Sequence, residues 1–320
     1  MADPATRLHV VTGKGGTGKS TVSAALALAL AADGRRTLLV EVEGRQSIAQ
    51  LFELEPLPYQ ELPIARLDCG GTVLALAIDA EAALLEYLDL FYRLGVAGRA
   101  LRKVGAIDFA TTIAPGVRDV LLTGKVKEAV TRAVDGRWVY DAVVLDAPPT
   151  GRIGRFLNVT AETARLAKIG PIKSQSEGVA ALLRSPRTAV HLVTRLEEMP
   201  VQEGTDAMAE LKRLGLPAGA IIVNNAWPPV LTEARISNAE IRRGLAAAGL
   251  PSDRKTVTGL AREGREHQTR LAVESRLRAE LRTADRPVVE LPSLPHSGTR
   301  TGLEVLATCL RAALHRPEAS

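Results

Sequence analysis

The chain has little of what several familiar protein devices need. It has two cysteines in 320 residues, Cys69 and Cys309, far apart and in no CxxC pair. That leaves no disulfide framework, argues against a zinc clasp and suits a reducing compartment. Aromatic residues make up only 3% of the chain, so the core has to be aliphatic. The longest mostly apolar run, residues 21–32, is shorter than the roughly 20 residues that span a bilayer. No basic segment followed by an apolar stretch resembles a signal peptide, so the expected location is the cytoplasm, without stable membrane insertion.

Charge is plentiful but mixed. There are 41 Lys and Arg against 36 Asp and Glu, a net charge of +5. A basic chain can bind nucleic acid. Here, however, Arg262, Arg265, Arg270, Arg276, Arg278 and Arg282 alternate with Glu263, Glu266, Glu274 and Glu280. Alternation of this kind marks a solvated helix face, so nucleic acid is not an expected partner.

Apolar residues make up 46% of the chain, enough for one large α/β domain or two small ones. Short apolar runs at 8–11, 37–40, 72–78, 139–145, 189–194, 220–223 and 287–291 read as strands. Helical spacing of apolar residues appears at 21–32, 81–94, 117–133, 201–214 and 271–281. Pro56, Pro58 and Pro63 mark a surface loop after the second strand. Strands alternating with helices predict a doubly wound, mostly parallel α/β sheet. The expectation is a single domain over 1–320, with helical insertions at about 81–133 and 155–187 forming an added layer.

Residues 13–21 read Gly13-Lys14-Gly15-Gly16-Thr17-Gly18-Lys19-Ser20-Thr21, the full G-x-x-x-x-G-K-[ST] phosphate loop, between a strand and a helix. Glycines let backbone N–H groups turn inward around phosphate oxygens, and the helix N-terminus adds a favourable dipole. Lys19 then neutralises the β- and γ-phosphates, while the Ser20 hydroxyl coordinates Mg²⁺. A second apolar strand ends in Asp146, placed to hold the same Mg²⁺ through a water. The segment Ala147-Pro148-Pro149-Thr150-Gly151 after it is a rigid loop able to sense a γ-phosphate. These residues predict a P-loop NTPase using ATP/ADP and Mg²⁺.

Residues 146–157, from Asp146 through Arg152 to Leu157, resemble the switch II segment of the ArsA-type ATPases. That family includes arsenite-pump ATPases and the ATPase that targets tail-anchored membrane proteins. Residues 114–119 resemble its Pro-Gly segment, Asn224 its adenine-reading asparagine, and the loop around Pro292 its adenine-side loop. Within the family, Glu41-Val42-Glu43-Gly44-Arg45-Gln46 is similar to the short member of an actinobacterial pair of such ATPases. Lys14, directly after the first glycine, resembles the deviant Walker A lysine. In relatives that work as dimers it reaches across the interface to the partner's ATP. The resemblance implies a homodimer, or a heterodimer with a paralogous ATPase, acting on a membrane-protein or other protein client.

The chain also departs from that family. The usual switch I Asp-Pro-Ala is Glu43-Gly44-Arg45, one methylene longer at the acid that would position the attacking water. A displacement of about 1 Å at a reacting centre can cost roughly 10²-fold in rate. Glu41, on the same strand, is the fallback acid. The family's His after Thr-Gly is Arg152, a phosphate contact or a surface residue. Two cysteines do not make an arsenite site, and three methionines do not make a methionine-rich client groove. Leu84, Leu85, Leu88 and Leu90 are a core stripe or an aliphatic groove. Leu303, Leu306, Leu310 and Leu314 are a packed terminal helix or a membrane-targeting one. The second belongs to the alternative reading, a ParA/MinD-like positioning ATPase on DNA or membrane.

Overall fold

The structure is a computed structural model, and it describes residues 5–92, 115–158, 171–228, 230 and 237–314. In chain order, β1 (Leu8–Gly13) leads through the glycine loop into α1 (Lys19–Ala31). Then follow β2 (Arg36–Glu41), α2 (Ser47–Leu51), β3 (Leu62–Arg66), β4 (Thr72–Ala77), α3 (Ala80–Tyr92) and α4 (Pro115–Thr131). A short ribbon of β5 (Ala133–Val134) and β6 (Arg137–Trp138) precedes β7 (Ala142–Asp146), α5 (Thr150–Leu157) and α6 (Pro171–Leu183). The rest is β8 (Thr188–Thr194), α7 (Glu198–Arg213), β9 (Ala218–Ala226), α8 (Asn238–Ala247), α9 (Arg254–Arg282), β10 (Val288–Pro292) and α10 (Arg300–Leu314). The central portions of both expected insertions, 93–114 and 159–170, lie outside the described residues.

Eight strands form one sheet in the order β10-β9-β8-β1-β7-β2-β4-β3. All neighbours are parallel except β3, which pairs antiparallel with β4 at the edge. This is the mostly parallel α/β fold that the sequence predicts, with helices on both faces. The strands look uniformly apolar because both faces are covered. Leu8, Val10, Leu38, Val40, Val143 and Leu145 pack under α3, α4, α5 and α6. Their alternates Val11, Leu39 and Val144 pack under α1 and α10. Side chains pointing alternately to the two faces account for the split.

Helix α1 is buried continuously from Val22 to Ala31, the behaviour of a helix that is apolar all round. Helix α10 lies against it, with Leu303, Leu306 and Leu310 buried and Leu314 partly so. The C-terminal leucine stripe is therefore core. Of the other stripe, Leu84 is buried and Leu85 packs on the core; the side chains of Leu88 and Leu90 lie outside the described residues.

Several expectations need correction. Pro63 is not in a loop but in β3. Proline lacks the N–H a central strand must donate, and an edge strand tolerates that. The strand expected from Val139 begins at Ala142, because the Asp141 carboxylate instead accepts from the Arg36 amide at 2.7 Å. The ribbon β5–β6 was also missed. Asp135 and Gly136 join its strands at φ 50° and 75°, the two positive values a tight Asp-Gly hairpin requires. Helix α9 runs 29 residues, well beyond the apolar spacing at 271–281, and its Asp253 cap accepts from the amides of Lys255 and Thr256.

Candidate active site

The phosphate loop sits where β1 stops, at the C-terminal edge of the sheet, between neighbours β8 and β7. Open α/β sheets bind ligands at such places. Its shape is set by backbone and close contacts. A Cβ on Gly13 would lie 2.1 Å from the Val193 carbonyl oxygen, so only glycine fits there. Gly18 adopts φ 88°, and a Cβ on it would meet the Asn224 amide nitrogen at 2.3 Å. Thr17 clamps the loop, its hydroxyl donating to the Lys14 carbonyl at 2.8 Å. Gly15 and Gly16 face open space, with nothing within 4 Å of an added Cβ. No side chain caps the N-terminus of α1, so its first amides are left for an anion.

Beside the loop, the Ser20 hydroxyl donates to Asp146 Oδ2 at 2.6 Å and Ser23 donates to Oδ1 at 3.3 Å. Asp146 is 7% exposed at the end of β7. Burial pushes its carboxyl up to about 6, against the Ser20 hydrogen bond and the Lys19 charge. Burial also draws the Lys19 ammonium below its ordinary range, opposed by Asp146 and Glu43. A buried carboxylate next to a hydroxyl is an incomplete set of hard oxygen ligands. It suits Mg²⁺ whose other ligands are water and phosphate oxygens. Among the described residues no cluster of three or more His, Cys, Asp or Glu forms a metal cage. Thr12 donates to the Pro148 carbonyl at 2.8 Å, tying the end of β1 to the segment after Asp146.

The chain matches known proteins over most of its length. Residues 6–185 match the anion-transporting ATPase family, ArsA_ATPase. Over 297 residues the chain is 56% identical to ATPase BagA of Mycobacterium tuberculosis, covering 90% of this chain and 87% of that one. The chain belongs to the ArsA ATPase family. More distant relatives include a putative arsenical pump-driving ATPase 2 of Aquifex aeolicus, 25% identical over 69% of this chain and 81% of that protein. An arsenical pump-driving ATPase of Escherichia coli is 27% identical, and the aligned region spans only 43% of its length.

In this ArsA-family chain the remaining predicted residues are placed as follows. Asn224, near the end of β9, donates its amide N–H to the Thr17 carbonyl at 2.9 Å, buttressing the phosphate loop. Pro292 ends the adjacent strand β10, opposite Ala226. Thr21 lies in the first turn of α1. Glu41 is buried, and its carboxylate accepts from the amides of Ser47 and Ile48 at 3.3 and 3.2 Å, capping α2. Both oxygens of the Glu41 carboxylate are thereby occupied by helix amides. Glu43, two residues on, pairs with Arg152 Nη1 at 3.4 Å and Arg45 Nε at 3.6 Å. It lines a cleft of about 240 Å³ with Arg118, Pro148 and Phe156.

One residue of the site was not anticipated. Glu203 of α7 pairs with Lys14 Nζ at 2.7 Å, and its other oxygen accepts from Thr150 at 3.4 Å. A single carboxylate thus joins the first lysine of the phosphate loop to the segment after Asp146. Nothing in the local sequence flags it, because Glu203 reaches the loop only through the packing of α7 on the sheet.

Proposed function

We propose that this chain is a Mg²⁺-dependent ATP hydrolase working as a nucleotide-switched dimer on a protein or membrane-associated client. The observation that carries the reading is the convergence of Lys19, Ser20 and Asp146 on an open glycine cradle at the strand ends. The loop amides and Lys19 bind the phosphates. Ser20 and Asp146 would hold the Mg²⁺, which would supply charge neutralisation at the phosphates. Glu43 orients the attacking water after releasing Arg152 and Arg45. Lys14 leaves Glu203 to reach the facing subunit's nucleotide, where a cation supplied in trans stabilises the transferring group. The partner is a second copy or a paralogous ATPase, and the setting is the cytoplasm.

The membrane arm of the positioning-ATPase alternative drew on a membrane-seeking terminal helix, and the packing of α10 on α1 removes that support. Among the described residues no helix is long and apolar enough to cross a membrane.

The test is ATP turnover with and without Mg²⁺, over a range of enzyme concentrations. Turnover that needs Mg²⁺ and rises more than linearly with enzyme supports hydrolysis by a dimer. Hydrolysis indifferent to Mg²⁺ would refute the site assignment, and strictly linear dependence to the lowest dilution would refute the dimer.

A further inference from the structure

At the end of the sheet opposite the phosphate loop, two arginines share one tryptophan. Arg7 immediately precedes β1 and Arg187 precedes β8. Their backbones adjoin: the amides of Arg7 and Leu8 donate to the Arg187 carbonyl at 2.8 and 2.9 Å. The guanidinium carbon of Arg7 lies 4.0 Å from the Trp138 ring centroid, and that of Arg187 lies 5.3 Å from it. Trp138, on the ribbon strand β6, remains 50% exposed.

One nitrogen of each guanidinium lacks an acceptor. Arg7 Nη2 donates to the Tyr140 carbonyl, but Arg7 Nη1 and Arg187 Nη2 are buried with no hydrogen-bond partner. The neighbouring carboxylate of Asp141 is turned to the Arg36 amide, so it acts on Arg7 only through its field. Burial and the Arg187 charge both draw the Arg7 pKa below its ordinary value, with Asp141 opposing. The face of Trp138 attracts cations but offers no acceptor to an N–H in the guanidinium plane. Buried polar groups in native proteins are almost always satisfied. Here two unsatisfied donors of like charge stand at one place.

We propose that Arg7, Arg187 and Trp138 form a second anion site, which binds a phosphoryl group. A carboxylate would supply one charge and two acceptor atoms. A phosphoryl group supplies nearly two charges and three acceptors, which matches a pair of guanidinium forks. Strand β1 separates the site from the phosphate loop by about 20 Å, too far for one phosphoryl group to occupy both. The group comes from a free phosphate species or from a lipid headgroup, and the experiment distinguishes them.

The chain has two tryptophans, so Trp227→Phe leaves Trp138 as the only tryptophan. With Mg-ADP filling the nucleotide site, inorganic phosphate is titrated at constant ionic strength against a chloride control, and Trp138 emission is read. A saturable change is expected with phosphate and not with chloride. Arg187→Gln should weaken it by about tenfold or more. Arg187→Lys, which keeps the charge but loses the fork, should fall between and serves if the Gln variant does not fold. In parallel, vesicles of phosphatidylcholine with or without phosphatidic acid are sedimented with the protein. Arg187-dependent binding to phosphatidic acid vesicles without a response to free phosphate assigns the lipid source. Chloride reproducing the emission change, an unchanged affinity in both Arg187 variants, or no response to phosphate or vesicles would overturn the proposal.

Discussion

The phosphate loop and the segments that face it are held by different kinds of interaction. The loop is fixed by backbone geometry: a glycine that cannot accept a Cβ, a left-handed residue at the helix start, and a threonine clamp. The facing residues Glu43, Arg45 and Arg152 are held by ion pairs of 3.4–3.6 Å between partly exposed side chains. Exposed pairs of that kind contribute about 0–1 kcal/mol. The loop is therefore formed before nucleotide arrives. The facing segments can exchange partners at little cost.

That contrast can be broken at several points, in descending order of effect. Lys19→Ala removes the cation of the rigid half. ATP turnover should drop by about 10³-fold or more, with weaker nucleotide binding and an unchanged thermal melt. Wild-type turnover in this variant would end the assignment.

The next effect concerns the base beneath the loop. His191 Nδ1 accepts from the Ala220 amide at 3.1 Å, so its proton sits on Nε2, which donates to His9 Nδ1 at 3.0 Å. Both rings are buried and neutral. Burial holds His191 down at about 4, and His9 well below its ordinary value. The unfolded chain therefore takes up protons that the folded chain refuses. The histidine contribution is complete above pH 6.5 and is lost as pH falls from 6.5 towards 4. For His191 alone the loss reaches about 3 kcal/mol. Urea unfolding at stepped pH, with the ring protons followed by NMR, checks this. Histidines that titrate near 6.5 in the folded protein would contradict it.

In the exchangeable half, Glu43→Gln should leave ATP affinity intact and slow turnover by roughly 10²-fold. The paired control is Glu41→Gln, which should lower stability by about 0.5–2 kcal/mol through the α2 cap. If the two variants behave alike in turnover, the distinction between the acids fails.

The smallest effect belongs to Glu203→Gln. It releases a pair no stronger than about 1 kcal/mol, so the ATP-bound dimer should tighten by no more than about fivefold. Sedimentation of the wild type and the variant with a non-hydrolysable nucleotide measures the shift. Weaker association would mean that Glu203 supports the assembled state rather than restraining Lys14.

Much of this was legible in the residues. The run from Leu8 to Ala31 specifies strand, phosphate loop and helix through glycines and an apolar pattern that admit few other backbones. The run ending at Asp146 is similarly explicit. The edge strand β3 was hidden because its one proline and alternating exposure look like a loop until β4 is seen to pair with it. The first turns of helix α9 gave no apolar pattern because they bury little beyond Val257 and Ala261. The contact of Glu41 with α2 was not legible either. Which of two acids on one strand end finds a helix to cap depends on where α2 lies.

The sequence by itself determined the backbone of the phosphate loop, the apolar strands and the side-chain types, an ammonium, a hydroxyl and a carboxylate, at Lys19, Ser20 and Asp146. Those properties follow from steric limits and side-chain type within a few residues. Only the tertiary structure decided that Ser20 meets Asp146 across a separation of 126 residues, that Glu203 holds Lys14, and that Arg7 and Arg187 crowd one tryptophan. Each of these contacts depends on the order of strands in the sheet. That order is set by how the helices cover both faces, and no local pattern of residues encodes it.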